Sequence, residues 1–260
     1  MIAASIVPAV GRSRGRRAVS GGALLVIATA SLGTTGCSHG RTSSGTVTPY
    51  VRSMTIAVAP ALNFSGSSGI DPVRLGDLMA SELSQVAGIQ VVGVNRVMAV
   101  LARQGRENIG SPAHALEVCH ELGVDAILVF AITEYDPYMP PVVGLAAQLY
   151  GPRPQELGFD PIATSRQARP FAIGSAEDES LRPWAQVQQT FNAAHESVQK
   201  AVEHYGRTRD AEQSPLGWRK YLASQELYVR FCCHSAISEL MRREADRVTS
   251  ECVAFGESSR

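Results

Sequence analysis

Asp125–Tyr135 (DAILVFAITEY) is the most apolar run of the folded part of this chain, and Glu121-Leu122-Gly123-Val124 leads into it. A continuous apolar run of this length, following a glycine stop, predicts a strand, the third in chain order. Reading backward, Ser111-Pro112 pairs an N-cap with proline at the first helical position. The helix it opens carries Leu116, Cys119 and Leu122 inward and stops at Gly123. Asn95 is expected to cap a shorter helix, Arg96–Gln104, closed by Gly105. Ile89–Val94 (IQVVGV) reads as a second strand. Leu75, Leu78, Met79, Leu83 and Val86 repeat at helical spacing between the Asp71-Pro72 start and the Gly88 stop. Met54–Pro60 (MTIAVAP) reads as the first strand, followed by the turn-rich Asn63–Gly69. Reading forward, a proline-rich corner, Asp136–Pro141, gives way to Val142–Tyr150 (VVGLAAQLY), a fourth strand antiparallel to the third.

This order predicts an α/β (mixed α+β) domain over 54–150, a small mixed sheet with flanking helices and some parallel pairing. Residues 151–183 are a loop-rich connection, and 184–250 supply further elements of the same domain. Trp184–Tyr205 reads two ways. Trp184, Val187, Phe191, Ala194, Val198, Val202 and Tyr205 form a helical stripe, but Ala185–Asn192 also suits a strand with a helix from about His195; the second is preferred. Pro215-Leu216-Gly217 then introduces a helical carboxy-terminal region from Trp218 to about Arg247, with Tyr221, Leu222, Tyr228, Cys232, Ala236 and Leu240 as its apolar face.

The 260 residues carry 24 basic and 24 acidic side chains. Arg12, Arg14, Arg16 and Arg17 lie in residues 1–36, which contain no acid, so 20 basic face 24 acidic residues in the remainder. A slightly acidic body has no electrostatic footprint for nucleic acid. The arginines precede the ten-residue apolar run Ala23–Leu32, which as a helix rises only about 15 Å, too short to span a bilayer. Residues 1–36 are therefore read as a signal peptide. The small residues Gly33–Gly36 and then Cys37 resemble the lipobox of bacterial lipoproteins, with Thr34 where leucine is usual. The resemblance implies lipid attachment at Cys37, and Ser38 after it implies outer-membrane sorting facing the periplasm. The alternative is a secreted protein cleaved near Ala30. Residues 37–53 read as a lipid-anchored Ser/Thr/Gly-rich tether, whose 16 residues after the cysteine reach roughly 50 Å extended and about 22 Å as a coil.

Four blocks carry a wider likeness: Ile56–Pro60 with Asn63-Phe64-Ser65-Gly66, Ser81-Glu82-Leu83, Gln90-Val91-Val92 with Val94, and Glu121–Leu128. Over 54–135 the chain resembles the TolB amino-terminal-domain family, which includes the curli-secretion lipoprotein CsgG and the lipoprotein activators of penicillin-binding proteins. The resemblance implies a domain that binds partners or builds assemblies at the envelope, and it carries over no catalytic residue.

The chemistry-bearing groups converge poorly. His120-Glu121 and His195-Glu196 lack the second histidine that would set two imidazoles on one helix face, since Val124 and Gln199 stand there. Phe231-Cys232-Cys233-His234 lacks the spacing for haem attachment. Cys119, Cys232, Cys233 and Cys252 read as buried free thiols ahead of disulfides. Ser65–Gly69 offers glycine-rich amides without a Walker lysine. Glu134 and Asp136 share a strand face with nothing converging on them, and Glu177-Asp178-Glu179 reads as solvated loop. No catalytic set, metal site or cofactor is expected.

The residues most suited to contact are Tyr135, Tyr138 and Met139, amphipathic side chains on a proline-stiffened corner that lose little entropy on binding. The expected function is a membrane-anchored, non-catalytic protein-binding or assembly module. Its partners would be the membrane through the lipid, and another envelope protein or a second copy. The alternatives are a subunit of a CsgG-like secretion complex, whose barrel strands would have to come from Val142–Tyr150 and Ala185–Asn192, and an unrecognised envelope hydrolase.

Overall fold

The computed structural model describes residue 46, residues 48–152 and residues 181–258, with side chains to 250. The expected signal peptide, Cys37, most of the tether and of the 151–183 connection, Glu177–Glu179 and the side chain of Cys252 lie outside the described residues.

The strands are β1 (Met54–Val58), β2 (Leu62–Asn63), β3 (Ile89–Val92), β4 (Ala126–Asp136), β5 (Val142–Tyr150) and β6 (Ala185–Asn192). The helices are α1 (Pro72–Leu83), α2 (Val94–Arg103), α3 (Pro112–Leu122), α4 (Glu196–Arg207), α5 (Lys220–Ala223) and α6 (Gln225–Ser258). They build the expected mixed α/β domain around one sheet of order β3-β1-β4-β5-β6, with β2 set beside β4. β1 runs parallel to β3 and β4, whereas β4, β5 and β6 form an antiparallel meander.

Burial explains the difference in strand pattern. Ile56 and Val58 of β1, with Leu128, Phe130 and Ile132 of β4, face a core shared with α1, α4 and α6. Their alternate neighbours Ala57, Ala59, Ile127 and Val129 face a second core under α2 and α3. These two strands are covered on both sides, so their sequences are continuously apolar. β5 and β6 are packed on the α6 side through Val143, Leu145, Leu149, Val187 and Phe191, while Gln186, Gln188 and Thr190 of β6 lie exposed. Their alternation of apolar and polar residues follows from one wet face.

The helix punctuation acts as its chemistry demands. Asp71 accepts from the Val73 and Arg74 N–H groups at the start of α1. Ser111 Oγ accepts from His114 N–H at 3.2 Å, and Gly123 closes α3 in the left-handed region at φ 65, where a β-carbon is costly. The strand-then-helix reading of 184–205 holds, with His195 at the α4 cap position.

Two boundaries differ. Gly93, not Asn95, occupies the α2 cap position, and Val94 begins the helix instead of ending the strand. The reason is tertiary: Val94 is wholly buried, and a β-carbon on Gly76 of α1 would stand 2.5 Å from its Cγ2. The carboxy-terminal helix is also interrupted. Ser224 is extended (φ -108, ψ 121) and caps α6, its Oγ accepting from Leu227 N–H at 3.4 Å and its carbonyl from Tyr228 N–H at 2.9 Å. The break lets Tyr221 and Tyr228 both reach the core. No helix among the described residues is long and apolar enough to cross a membrane.

The end of the stretch read as tether is held on the body. Thr48 N–H donates to Ala87 O at 3.1 Å, Ala87 N–H to Thr46 O at 3.3 Å, and Thr46 Oγ1 lies 3.1 Å from Ser238 Oγ of α6. Tyr50 Oη donates at 2.7 Å to Glu244, which is fully buried, and its ring meets Trp184 edge-on at 6.4 Å. Composition alone suggested free chain as far as residue 53; these contacts bring the body's boundary back to Thr46.

Candidate functional site

The corner after β4 is shaped by a shift of register between Ile132 and Glu134. Ile132 pairs with Leu145 and Tyr135 with Val143, and all four belong to the α6-side core or pack on it. In an unbroken strand, residues three apart face opposite sides. The extra residue resets the alternation, so Tyr135 turns toward α6 and its Oη donates to Gln225 Oε1 at 3.4 Å. Burial raises its phenol pKa above the ordinary value.

The three corner residues are therefore divided. Tyr138 and Met139 stand out at 80% and 67% exposure, on a turn pinned by Tyr138 N–H donating to Asp136 Oδ1 at 3.0 Å. Pro141 O accepts from Ala193 N–H at 3.0 Å, tying the far side of the corner to the end of β6. Tyr135 instead lines a cleft of about 310 Å³ between the starts of α1 and α6. Ile70, Leu75, Leu78 and Val229 supply its apolar lining, and Asp71, Arg74, Gln225 and Glu226 its polar lining. Arg74 and Glu226 form an ion pair joining the two helices.

Phe64 was not expected as a contact residue. It is 68% exposed, held by its N–H donating to Ile132 O at 2.8 Å. An aromatic residue in a Ser/Gly loop, outside any apolar periodicity, was the available signal. Arg74 and Glu226 had no such signal, because 152 residues separate them.

Most of the other constellations serve the structure. In the Ser65–Gly69 loop, Asn63 Oδ1 accepts from Ser65 N–H, Ser65 Oγ from Ser67 N–H, and Ser67 Oγ from Gly69 N–H. With Asp71 occupying the first amides of α1, these N–H groups already have acceptors. Glu121 binds Arg103 and Gln104, and Glu196 pairs with Lys200 at 2.7 Å. Glu134 and Asp136 are exposed.

Cys119, Cys232 and Cys233 are free and buried, as expected. Burial and then Asp125 push Cys119 up to about 11, and burial raises Cys232 and Cys233 as well, which keeps all three as weakly nucleophilic thiols at neutral pH. Among the described residues no group of three metal-binding side chains assembles.

Two buried carboxylates act as fasteners, Glu82 between helices and Glu244 between the segment before β1 and α6. Glu82 of α1 accepts from Arg209 at 2.7 Å and from Tyr205 Oη at 3.1 Å, with Arg230 Nε at 3.9 Å and His234 Nδ1 at 3.6 Å. Glu244 accepts from Tyr50 and from Arg247 Nε at 2.8 Å. Each carboxylate is paired and hydrogen-bonded, the condition under which a buried charge is tolerated.

No family model matches the chain, and no curated protein matches it. Similar solved structures include lipoprotein GNA1162 from Neisseria meningitidis, 19% identical, covering 54% of this chain and 80% of that one at TM-score 0.35. The LpoB C-terminal domain from Salmonella enterica is 13% identical, covering 39% and 74% at TM-score 0.33. The hypothetical protein CT253 from Chlamydia trachomatis is 11% identical, covering 68% and 97% at TM-score 0.31. At these identities and TM-scores none of them assigns this chain a family or an activity.

Proposed function

We propose that this chain is a lipid-anchored, non-catalytic protein-binding module of the bacterial cell envelope, attached through Cys37 to the outer membrane and facing the periplasm. The observation that carries the reading is the arginine-led leader, its ten-residue apolar run and the small residues that end at Cys37. The contact surface is the β4–β5 corner, where Tyr138 and Met139 project from a pinned turn, together with Phe64 at the same end of the sheet. Aromatic and thioether side chains on a fixed turn bury large area at small entropic cost. Glu121 and Glu196 are engaged in ion pairs and Cys119, Cys232 and Cys233 in core packing, which supports the non-catalytic reading, while Glu134 and Asp136 stand exposed at the end of β4.

The secretion-pore alternative draws on β5 and β6, and both belong to the domain's own sheet with one face against α6. No specific observation favours it. The proposal is tested by the intact mass of the mature protein and by pull-down from gently solubilised envelopes. The expected results are a diacylglyceryl-bearing protein beginning at Cys37 and an envelope protein lost from the pull-down in Tyr138→Ser/Met139→Ser. An acyl-free product cleaved near Ala30, or a partner indifferent to both substitutions, overturns it. A single residue labelled by an activity-based hydrolase probe would overturn the non-catalytic reading.

A further inference from the structure

We infer that β6 is a self-complementary edge through which two copies of this chain pair antiparallel, extending one sheet across a two-fold axis at Gln189. This deepens the binding-module reading by naming a second copy as a partner, yet it rests on the edge and not on the anchor.

β6 is the last strand of the sheet, and its sequence Ala185–Asn192 (AQVQQTFN) contains no proline, no charge and no bulge against β5. Among the described residues the Arg243 side chain reaches this edge at Gln186 O and no strand covers it; such edges are templates for another strand, and proteins commonly block them with lysine, proline or a covering segment. The opposite edge is treated differently: β3 has only four residues, and Thr46 and Thr48 bond to Ala87 just before it.

The hydrogen-bond alternation says which groups are open. Ala193 N–H donates inward to Pro141 O, and Gln186 O faces away from β5, where Arg243 Nη1 donates to it at 2.8 Å. In an antiparallel ladder, inward and outward residues alternate. The peptide groups of Gln188 and Thr190 therefore point outward, and both residues are exposed.

One observation selects the register, and opposite charges near the ends agree with it. Gln189 Oε1 is buried with no hydrogen-bond partner, and a two-fold axis at Gln189 sets the second copy's Gln189 amide directly opposite. The same axis sets Gln188 against the second copy's Thr190, so both N–H and C=O of each are satisfied reciprocally. It also places Arg182, three residues before β6, and the second copy's Glu196, four after it, toward the same end of the joint. Arg182 is exposed and has no ion-pair partner among the described residues, while Glu196 is 80% exposed and held only by Lys200 of its own helix. The strands themselves bring no like charges together.

The test is sedimentation velocity of the full chain in detergent from roughly 1 to 100 µM, the range in which a modest dimer dissociates. Wild type is expected to shift from monomer to dimer. Gln188→Lys combined with Thr190→Lys is expected to weaken it by about tenfold or more, because each lysine then faces a lysine of the second copy across the joint. Arg182→Glu weakens the dimer, and adding Glu196→Arg on the same chain restores it.

A second measurement stands apart from the lysine variants. Directly opposed residues at the axis have Cα atoms about 4.5 Å apart, within the range that admits a disulfide, about 4.4–6.8 Å. Gln189→Cys should give a mapped 189–189 disulfide on oxidation, and Gln188→Cys should not. A monomer at every concentration, a dimer indifferent to the edge lysines, or cross-linking at 188 in place of 189 overturns the proposal. None of these outcomes bears on lipidation, which the intact mass reads separately.

Discussion

Gly144 of β5 sits against the bulge of β4 so closely that a β-carbon there would stand 2.6 Å from Thr133 Oγ1 and 3.0 Å from the Glu134 backbone nitrogen. The absence of a side chain at one position is thus what admits the extra residue at the other, and the extra residue is what turns Tyr135 onto α6. Gly144→Ala is expected to destabilise the domain by about 1–3 kcal/mol, the usual cost of overpacking. Urea unfolding checks it. A variant as stable as wild type would show that the bulge is not held open by this glycine.

Tyr50→Phe removes the hydroxyl that donates to buried Glu244 while leaving Arg247 in place. The expected loss is about 1–3 kcal/mol, because a buried carboxylate gives up one of its donors. The residues before Tyr50 should loosen with it, seen as faster hydrogen exchange at the Thr48 and Ala87 amides, which bond across this junction. Unchanged exchange at both would mean that the segment is held without the tyrosine.

Glu82→Leu should cost about 3 kcal/mol, toward the low end for breaking a buried pair, since Arg209 and Arg230 keep partial access to water. Glu82→Gln should cost less, retaining an acceptor for Tyr205 and Arg209. Thermal unfolding of the two variants distinguishes charge from shape. Equal losses would show that the charge carries the effect and that the retained acceptor adds nothing.

Arg242 first and Arg243 second, through hydrogen bonds, hold Glu239 down at about 2 against an ordinary 4.5. A carboxylate depressed in the folded state contributes stability that is complete above its unfolded pKa and lost as pH falls through the folded one. Its contribution should therefore fade between about pH 4.5 and 2. Asp125, lowered first by the Thr55 N–H and then by Arg52, adds a loss of the same sign. Glu239→Gln should be less stable than wild type at pH 6, and the gap should close toward pH 2 in urea titrations. A constant gap over that range contradicts the assignment.

Tyr138→Ser with Met139→Ser should change stability by no more than about 0.5 kcal/mol, as for exposed residues away from caps and core. Circular dichroism and urea midpoints check this independently of any partner. A large loss would mean that the corner is part of the core.

Local chemistry was enough to read most of the elements of this fold. Asp71-Pro72, Ser111-Pro112 and Gly123 act on backbone groups within a few residues, so their meaning travels with the string itself. The same holds for the doubly buried β4, where seven consecutive apolar residues from Ala126 to Ile132 leave no wet side. The division of Tyr135 from Tyr138 and Met139 was not readable, because one inserted residue in β4 and one missing side chain in β5 decide it together. Nor was the Val94 helix start, which depends on the closeness of Gly76, or the docking of Tyr50 on Glu244 across 194 residues. The cleft between α1 and α6 belongs to the same class. Such features depend on which surfaces meet after folding, and periodicity along a chain records only which side of an element is apolar, not what it will touch.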